Sequence, residues 1–336
     1  MEIVMDIQNT KEIQACALRR LTDAPQAKRV AAVYAGVTLG LSALVTLLGL
    51  LLDGMMSQAT GLSGMGRRTF LSSAQTMLPW VVTLVTMCVE LGYQAAMLRV
   101  CRGQYVSPQT LRLGFDRFWV LLRCILLEGL ILFGIIFGSI YLATMIFMMT
   151  PLSRQVMEVL TPIMENVTLL SPEMVLDDAL YAQLMQAMIP AFVLCAIVIA
   201  AAAIPVLFRL RMSRFVLIDK PGIGALGALR ESRKMMKGNC MKLFKLDVRL
   251  WWYYGAEILA SLLCYGDVLL PMVGIHLPIR DTVSYYLFFV LYLAAQFAVY
   301  YFLRNPAEVS YAIAYDAIRP KEPKAEGVVL GSIFQQ

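Results

Sequence analysis

Three carboxylates stand where hydrocarbon is expected. Glu90, Glu128 and Glu257 each fall inside a long apolar block. An ionisable side chain there is costly and turns toward a bundle interior or a water-filled cavity. Counted from the block ends that adjoin basic connections, each lies eight or nine residues deep, about 12 to 14 Å at helical rise. One shared acidic layer would follow, suited to relaying protons or cations. The alternative is carboxyl groups hydrogen-bonded to Tyr93, Gln94, Tyr254 or Gln296, cementing helix contacts.

A second constellation is basic. Between residues 224 and 237, Ala225, Leu229, Ser232 and Met236 fall on one helical stripe, and Arg230, Arg233, Lys234 and Lys237 form another at i, i+3, i+4 and i+7. Gly238-Asn239 is a helix stop, beyond which Lys242, Lys245 and Arg249 prolong the charge. Such a helix belongs at a membrane surface, where anionic headgroups attract each basic residue by about 1 kcal/mol. Its other reading is a plain topology signal.

Searches for other chemistry exclude whole enzyme classes. The single histidine, His276, sits in a connection beside Arg280 and Asp281, and the seven cysteines show no C-x-x-C spacing. No phosphate-binding Gly-rich Lys loop, nucleophile elbow, zinc-protease or calcium-loop pattern appears. A helix start at Ser171-Pro172 has an acidic first turn that suits the helix dipole, and the Asp177-Asp178 pair beyond it reads as solvated rather than as a cation site. No cofactor, metal or nucleic-acid partner is expected, and the chain reads as a non-enzyme.

The elements that must position these residues are membrane helices. With 59% hydrophobic and 15% charged residues and a mean hydropathy of +0.69, the chain needs lipid as solvent. The apolar mass arrives in blocks near the roughly 20 residues that span a bilayer as helix. The expectation is an all-α, polytopic helical bundle with spans at about 30–52, 78–98, 118–149, 189–208, 250–270 and 283–303. Pro79 falls in the first turn of the second span, Pro190 and Pro205 bound the fourth, and aromatic residues 251–254 suggest an interfacial belt. Gly36-x-x-x-Gly40, Gly134-x-x-x-Gly138 and Ala294-x-x-x-Ala298 predict close helix contacts. No cleavable signal peptide is expected, because the first apolar block is too long.

Basic residues orient the bundle. Residues 99–117 carry four against Asp116 alone and residues 209–249 carry eleven against three acids, whereas residues 151–188 carry Arg154 against five acids. The positive-inside bias places the first two in the cytoplasm and the acidic segment outside, with both termini cytoplasmic. The division is a segment 1–29, a membrane domain 30–320 and a tail 321–336. Capped amphipathic segments precede alternate hairpins: Thr10 caps one bearing Ile13, Ala17 and Leu21; Ser107-Pro108 opens one with Leu111 and Phe115; Pro221-Gly222 precedes the third. The arrangement suggests a threefold repeat of helix plus hairpin, and Asn305-Pro306-Ala307-Glu308 suggests a capping box for a last helix ending near Arg319.

The stretch 211–255 also carries a resemblance. Asp219 and Pro221, then Ser232, Met236-Lys237-Gly238 and Leu243-Phe244-x-Leu246-Asp247 resemble the signature of the bacterial family called domain of unknown function 975. The opening IQNTKEIQACALRR resembles that family's start more weakly, and Val248 to Trp252 departs from its usual continuation. The resemblance implies an integral bacterial membrane protein and transfers no catalytic residue. Together these observations favour a non-enzymatic cell-membrane protein that organises or assists other membrane components through lipid-surface helices. Its partners would be anionic lipids, other membrane proteins or a second copy. The competing reading is a small transporter or permease working through Glu90, Glu128 and Glu257.

Overall fold

The computed structural model describes residues 9–57, 61–151, 153–154, 156–158, 161, 178–266, 269–270 and 281–319. His276, Arg280, Ser171-Pro172, Asp177, most of the acidic segment 151–188 and the tail 321–336 lie outside the described residues. Those described are almost entirely helical, with no strand among them. In chain order the helices are α1 Thr10–Asp23, α2 Gln26–Ser57, α3 Gly61–Cys101, a 3-10 turn Pro108–Arg112, α4 Leu113–Asp116 and α5 Phe118–Met148. They continue as α6 Asp178–Leu210, α7 Ser213–Asp219, α8 Ala225–Met236, α9 Cys240–Arg249, α10 Trp251–Leu263 and α11 Asp281–Ala298. A π segment Val299–Leu303 then leads into α12 Arg304–Ile318.

Five stretches are long and apolar enough to cross a membrane: Gln26–Ser57, Arg68–Cys101, Phe118–Met148, Met188–Asp219 and Ser284–Ile318. They match five of the six expected blocks. The remaining one, 250–270, begins with the 13-residue α10, about 20 Å long against a hydrocarbon core of roughly 30 Å. Leu47 and Leu51 on α2, Phe133 and Phe137 on α5 and Ile197 on α6 are more than half exposed. So much apolar surface has no place in water, and lipid must cover it.

The packed core gathers at the end of the bundle that carries the basic connections. Ile13 and Ala17 of α1, the end of α3 from Val89 to Val100, Leu229 and Met236 of α8, Leu243 and Leu246 of α9, and α12 from Ala307 to Tyr315 form one buried cluster. In order, short helices precede a pair of longer ones three times: α1 before α2 and α3, the 3-10 turn and α4 before α5 and α6, α7 to α9 before α10 and α11. The expected openings are only partly realised. Asn9 rather than Thr10 precedes α1, Ser107 precedes the 3-10 turn with Pro108 at its first position, and neither makes a side-chain cap bond. Leu111 is buried, but Phe115 is exposed.

The small-residue contacts differ from those expected. Nothing lies within 4 Å of a Cβ built on Gly36, Gly40, Gly134 or Gly138. On α2 the buried face is Ala27, Ala31 and Ala35, one position away from the glycines. On α11, Ala294 and Ala298 are exposed, because Gln296 turns inward to donate to Ser261 Oγ of α10 at 3.2 Å. Close approach occurs instead where α3 crosses the 3-10 turn and α4. A Cβ on Gly92 would lie 2.3 Å from the Leu111 carbonyl oxygen, and one on Gly114 would lie 1.9 Å from that of Cys88. Three prolines also sit differently: α3 begins at Gly61, so Pro79 is interior, and α6 runs through both Pro190 and Pro205.

No helix break separates α11 from α12. Pro306 lacks an N–H, and its ring crowds the carbonyl four residues back. The π turn at Val299–Leu303 widens the helix just before it and lets the chain continue. The expected capping box is therefore absent: Asn305 is helical and buried, and its Nδ2 donates to the Tyr301 carbonyl at 3.2 Å.

Candidate functional site

α12 places polar side chains in the centre of the packed end. Arg304 is 8% exposed and donates through Nη2 to Glu90 Oε1 of α3 at 2.5 Å. Tyr34 of α2 donates to Glu90 Oε2, also at 2.5 Å, and Gln94 Nε2 donates to Oε1 at 3.3 Å. The guanidinium lies over the rings of Tyr34, Tyr93 and Tyr300 at 4.8, 5.4 and 5.1 Å. One helical turn on, Glu308 Oε1 stands 3.7 Å from the same nitrogen. Tyr93 hydroxyl donates to Asn305 Oδ1 at 2.6 Å, so α3 and α12 are cross-linked twice within one turn.

Farther along, Arg102 makes a two-pronged bond to Asp316, Nη2 to Oδ1 at 2.8 Å and Nε to Oδ2 at 3.2 Å. Its Nη1 meets Asp219 Oδ1 of α7 at 2.7 Å. Asp219 also receives Arg319 at 3.0 Å and the Tyr315 hydroxyl at 3.1 Å. Burial alone would lower the Arg102 pKa, but the bonds to Asp316 and Asp219 hold it above the usual arginine value. The two ion pairs joining α3 to α12 are in register: Glu90 to Arg102 and Arg304 to Asp316 are both twelve residues, about 18 Å at helical rise. Parallel helices with matching offsets and exchanged charge signs can satisfy both pairs only in one alignment.

A third cluster joins α6 and α7 to α9. Arg211, in the turn between α6 and α7, pairs with Asp247 Oδ2 and donates to the Tyr254 hydroxyl at 2.9 Å. The Tyr311 hydroxyl donates to Asp247 Oδ1 at 2.7 Å, and its ring lies 4.4 Å beneath the Arg211 guanidinium. The resembling stretch thus finds its structural roles. Asp219 and Asp247 anchor α12, Ser232 Oγ donates to the Arg209 carbonyl at 2.8 Å, Gly238 takes the φ of +84° that stops α8, and Leu243 and Leu246 are buried.

The three glutamates expected within the membrane are drawn only partly together. Glu90 and Glu257 both act electrostatically on Tyr300, whose ring lies under Arg304. Glu128 is a wall of a separate cavity, where Ser213 Oγ donates to it and Cys124 Sγ lies 3.8 Å away. That cavity, of about 540 Å3, lies among α3, α5, α6, α7, α9, α10 and α12, with Gln94, Arg211, Arg214, Glu308 and Tyr311 also on its walls. Of the hydrogen-bond partners expected for the glutamates, Gln94 serves Glu90. Tyr93, Tyr254 and Gln296 serve Asn305, Arg211 and Ser261 instead.

On α8 the expected stripes hold. Ala225, Leu229, Ser232 and Met236 are buried, with the apolar stripe packed on the protein rather than lying in lipid. Arg230, Arg233, Lys234 and Lys237 are exposed, and with Arg209 they rim a concavity of about 680 Å3. On α9, Lys242 is half-buried and Lys245 is exposed. Among the described residues, none of these seven makes an ion pair. No group of three potential metal ligands occurs among the described residues.

Sequence reasoning missed Arg304, Glu308, Arg211, Tyr34 and Tyr311. The i, i+4 spacing of Arg304 and Glu308 directly after an uncharged block was a usable signal. Arg211, by contrast, was one basic residue among eleven. No curated protein and no solved structure matches the chain. The family described as Protein of unknown function (DUF975) matches residues 7–319, and the chain, with its five helices long and apolar enough to cross a membrane, belongs to that family.

Proposed function

We propose that this is a non-enzymatic, multi-pass protein of the bacterial cytoplasmic membrane, both termini cytoplasmic, that organises or assists other membrane components from a basic, helix-built face. The observation that carries the reading is the concavity rimmed by Arg209, Arg230, Arg233, Lys234 and Lys237, without an ion pair among the described residues. Five guanidinium and ammonium groups around one hollow attract anionic headgroups strongly. Because the apolar stripe of α8 is packed on the protein, the helix meets the membrane with charge and holds a fixed orientation. The transporter reading is weaker, because Glu90 is ion-paired with Arg304 and has no vacancy for a transported cation.

The test uses the full-length protein in micelles of neutral detergent doped with phosphatidylglycerol, with retained lipid read by native mass spectrometry. At about 1 kcal/mol per basic residue, removing four charges (R230Q, R233Q, K234Q, K237Q) lowers affinity by up to about a thousandfold. Unchanged retention of phosphatidylglycerol would refute the proposal.

A further inference from the structure

The geometry points to the cavity between the spans as a binding site for a zwitterionic lipid headgroup that carries a primary ammonium beside a phosphate. It lies apart from the basic face of α8, and it does not depend on that reading. Its size of about 540 Å3 falls in the range of small-ligand pockets. Leu132 and Leu207 stand on its walls, and Leu207 is 48% exposed on the lipid-facing side of α6. An acyl chain can therefore leave the cavity directly into hydrocarbon.

The polar walls set the headgroup chemistry. Arg211 is committed to Asp247, which leaves Glu128, Glu308 and Arg214 as the charges facing the space, two acids and one base. Glu308 is partly balanced by Arg304 at 3.7 Å. What remains is close to one negative and one positive charge, the complement of a zwitterion.

An independent observation identifies the cation as an N–H donor. Gln94 is 8% exposed and lines the cavity, and its Oε1 is buried without a hydrogen-bond partner. Its amide cannot simply reverse to escape this, because Nε2 is held by Glu90 Oε1 at 3.3 Å, and a reversed amide would set two acceptors against each other. A buried acceptor left unpaired is costly. Together with Glu128 and Glu308 it asks for a group with several N–H bonds, which a primary ammonium has and a quaternary ammonium lacks. Tyr253, Tyr254 and Phe208 also line the cavity, and aromatic rings attract a cation.

The experiment reconstitutes the full-length protein in nanodiscs containing equal phosphatidylethanolamine and phosphatidylcholine, which differ at the headgroup only in N-methylation, and counts co-purifying lipids by native mass spectrometry. Phosphatidylethanolamine should be retained about tenfold over phosphatidylcholine. Q94L and, separately, E128Q should each remove most of that preference, while K237Q keeps it. Circular dichroism of each variant establishes that it is folded, and S213A, which frees Glu128 without deleting it, serves in place of a variant that is not. Equal retention of the two lipids, or a preference untouched by Q94L and E128Q, would overturn the inference. So would binding of soluble glycerophosphoethanolamine as tight as that of the lipid.

Discussion

Replacing Arg304 with leucine should be among the most damaging single changes in this protein, and its rescue should be specific. The Arg304 and Glu90 side chains are 10% and 16% exposed, so removing one partner strands a charge in a poorly solvated site. Breaking a buried pair costs about 3–5 kcal/mol. Loss of the guanidinium over three tyrosine rings adds roughly 0.5–2 kcal/mol. The pair term alone corresponds to a fall in Tm of roughly 6–20 °C, at about 2–4 °C per kcal/mol for a domain of this order of size. Adding E90Q should recover part of the loss: glutamine can still accept from Tyr34 but carries no charge to strand. The double variant R304L/E90Q should therefore be more stable than R304L by about 1–3 kcal/mol. Thermal unfolding of the four proteins of the cycle in one detergent, followed by circular dichroism at the helical band, gives the coupling. An R304L protein as stable as the unaltered one, or purely additive single effects, would refute the argument that the pair is buried and interdependent.

Glycine positions separate close helix approach from mere glycine spacing. G92A and G114A should each lower stability by about 1–3 kcal/mol or more, since backbone atoms occupy the space. G134A should be neutral or slightly stabilising in the same thermal assay, and a destabilised G134A would reveal a contact on that face. For topology, single cysteines at R154C and K245C in a cysteine-free background should react with a membrane-impermeant maleimide from opposite sides of intact cells, and labelling from the same side would overturn the orientation.

The basic helix shows how local pattern can suffice. Its buried and exposed stripes follow from 3.6-residue periodicity alone, and Gly238 ends it at the expected place with a backbone angle that suits glycine. The contact stripes of α2 and α11 were less legible. A glycine spacing states that close approach is permitted, not that a neighbour comes. Alanines 27, 31 and 35 and the inward Gln296 took those contacts instead.

Hydropathy and periodicity, which are properties of neighbouring residues in the chain, by themselves determined the helical membrane class, five of the long apolar segments and the amphipathic faces of α1 and α8. Which charges meet is a different kind of fact. Arg304 finds Glu90 across 214 positions of sequence, and Tyr315 and Arg319 find Asp219 across about a hundred. The parallel packing of α3 on α12, allowed by the π turn that carries the chain past Pro306, brings the first pair into reach, and α7, which ends at Asp219, supplies the second meeting. Lipid supplies no hydrophobic drive between apolar helix faces. The alignment at the packed end therefore rests on ion pairs, tyrosine hydroxyls and the close crossings at Gly92 and Gly114. Those are set by three-dimensional register, which no local window of the chain contains.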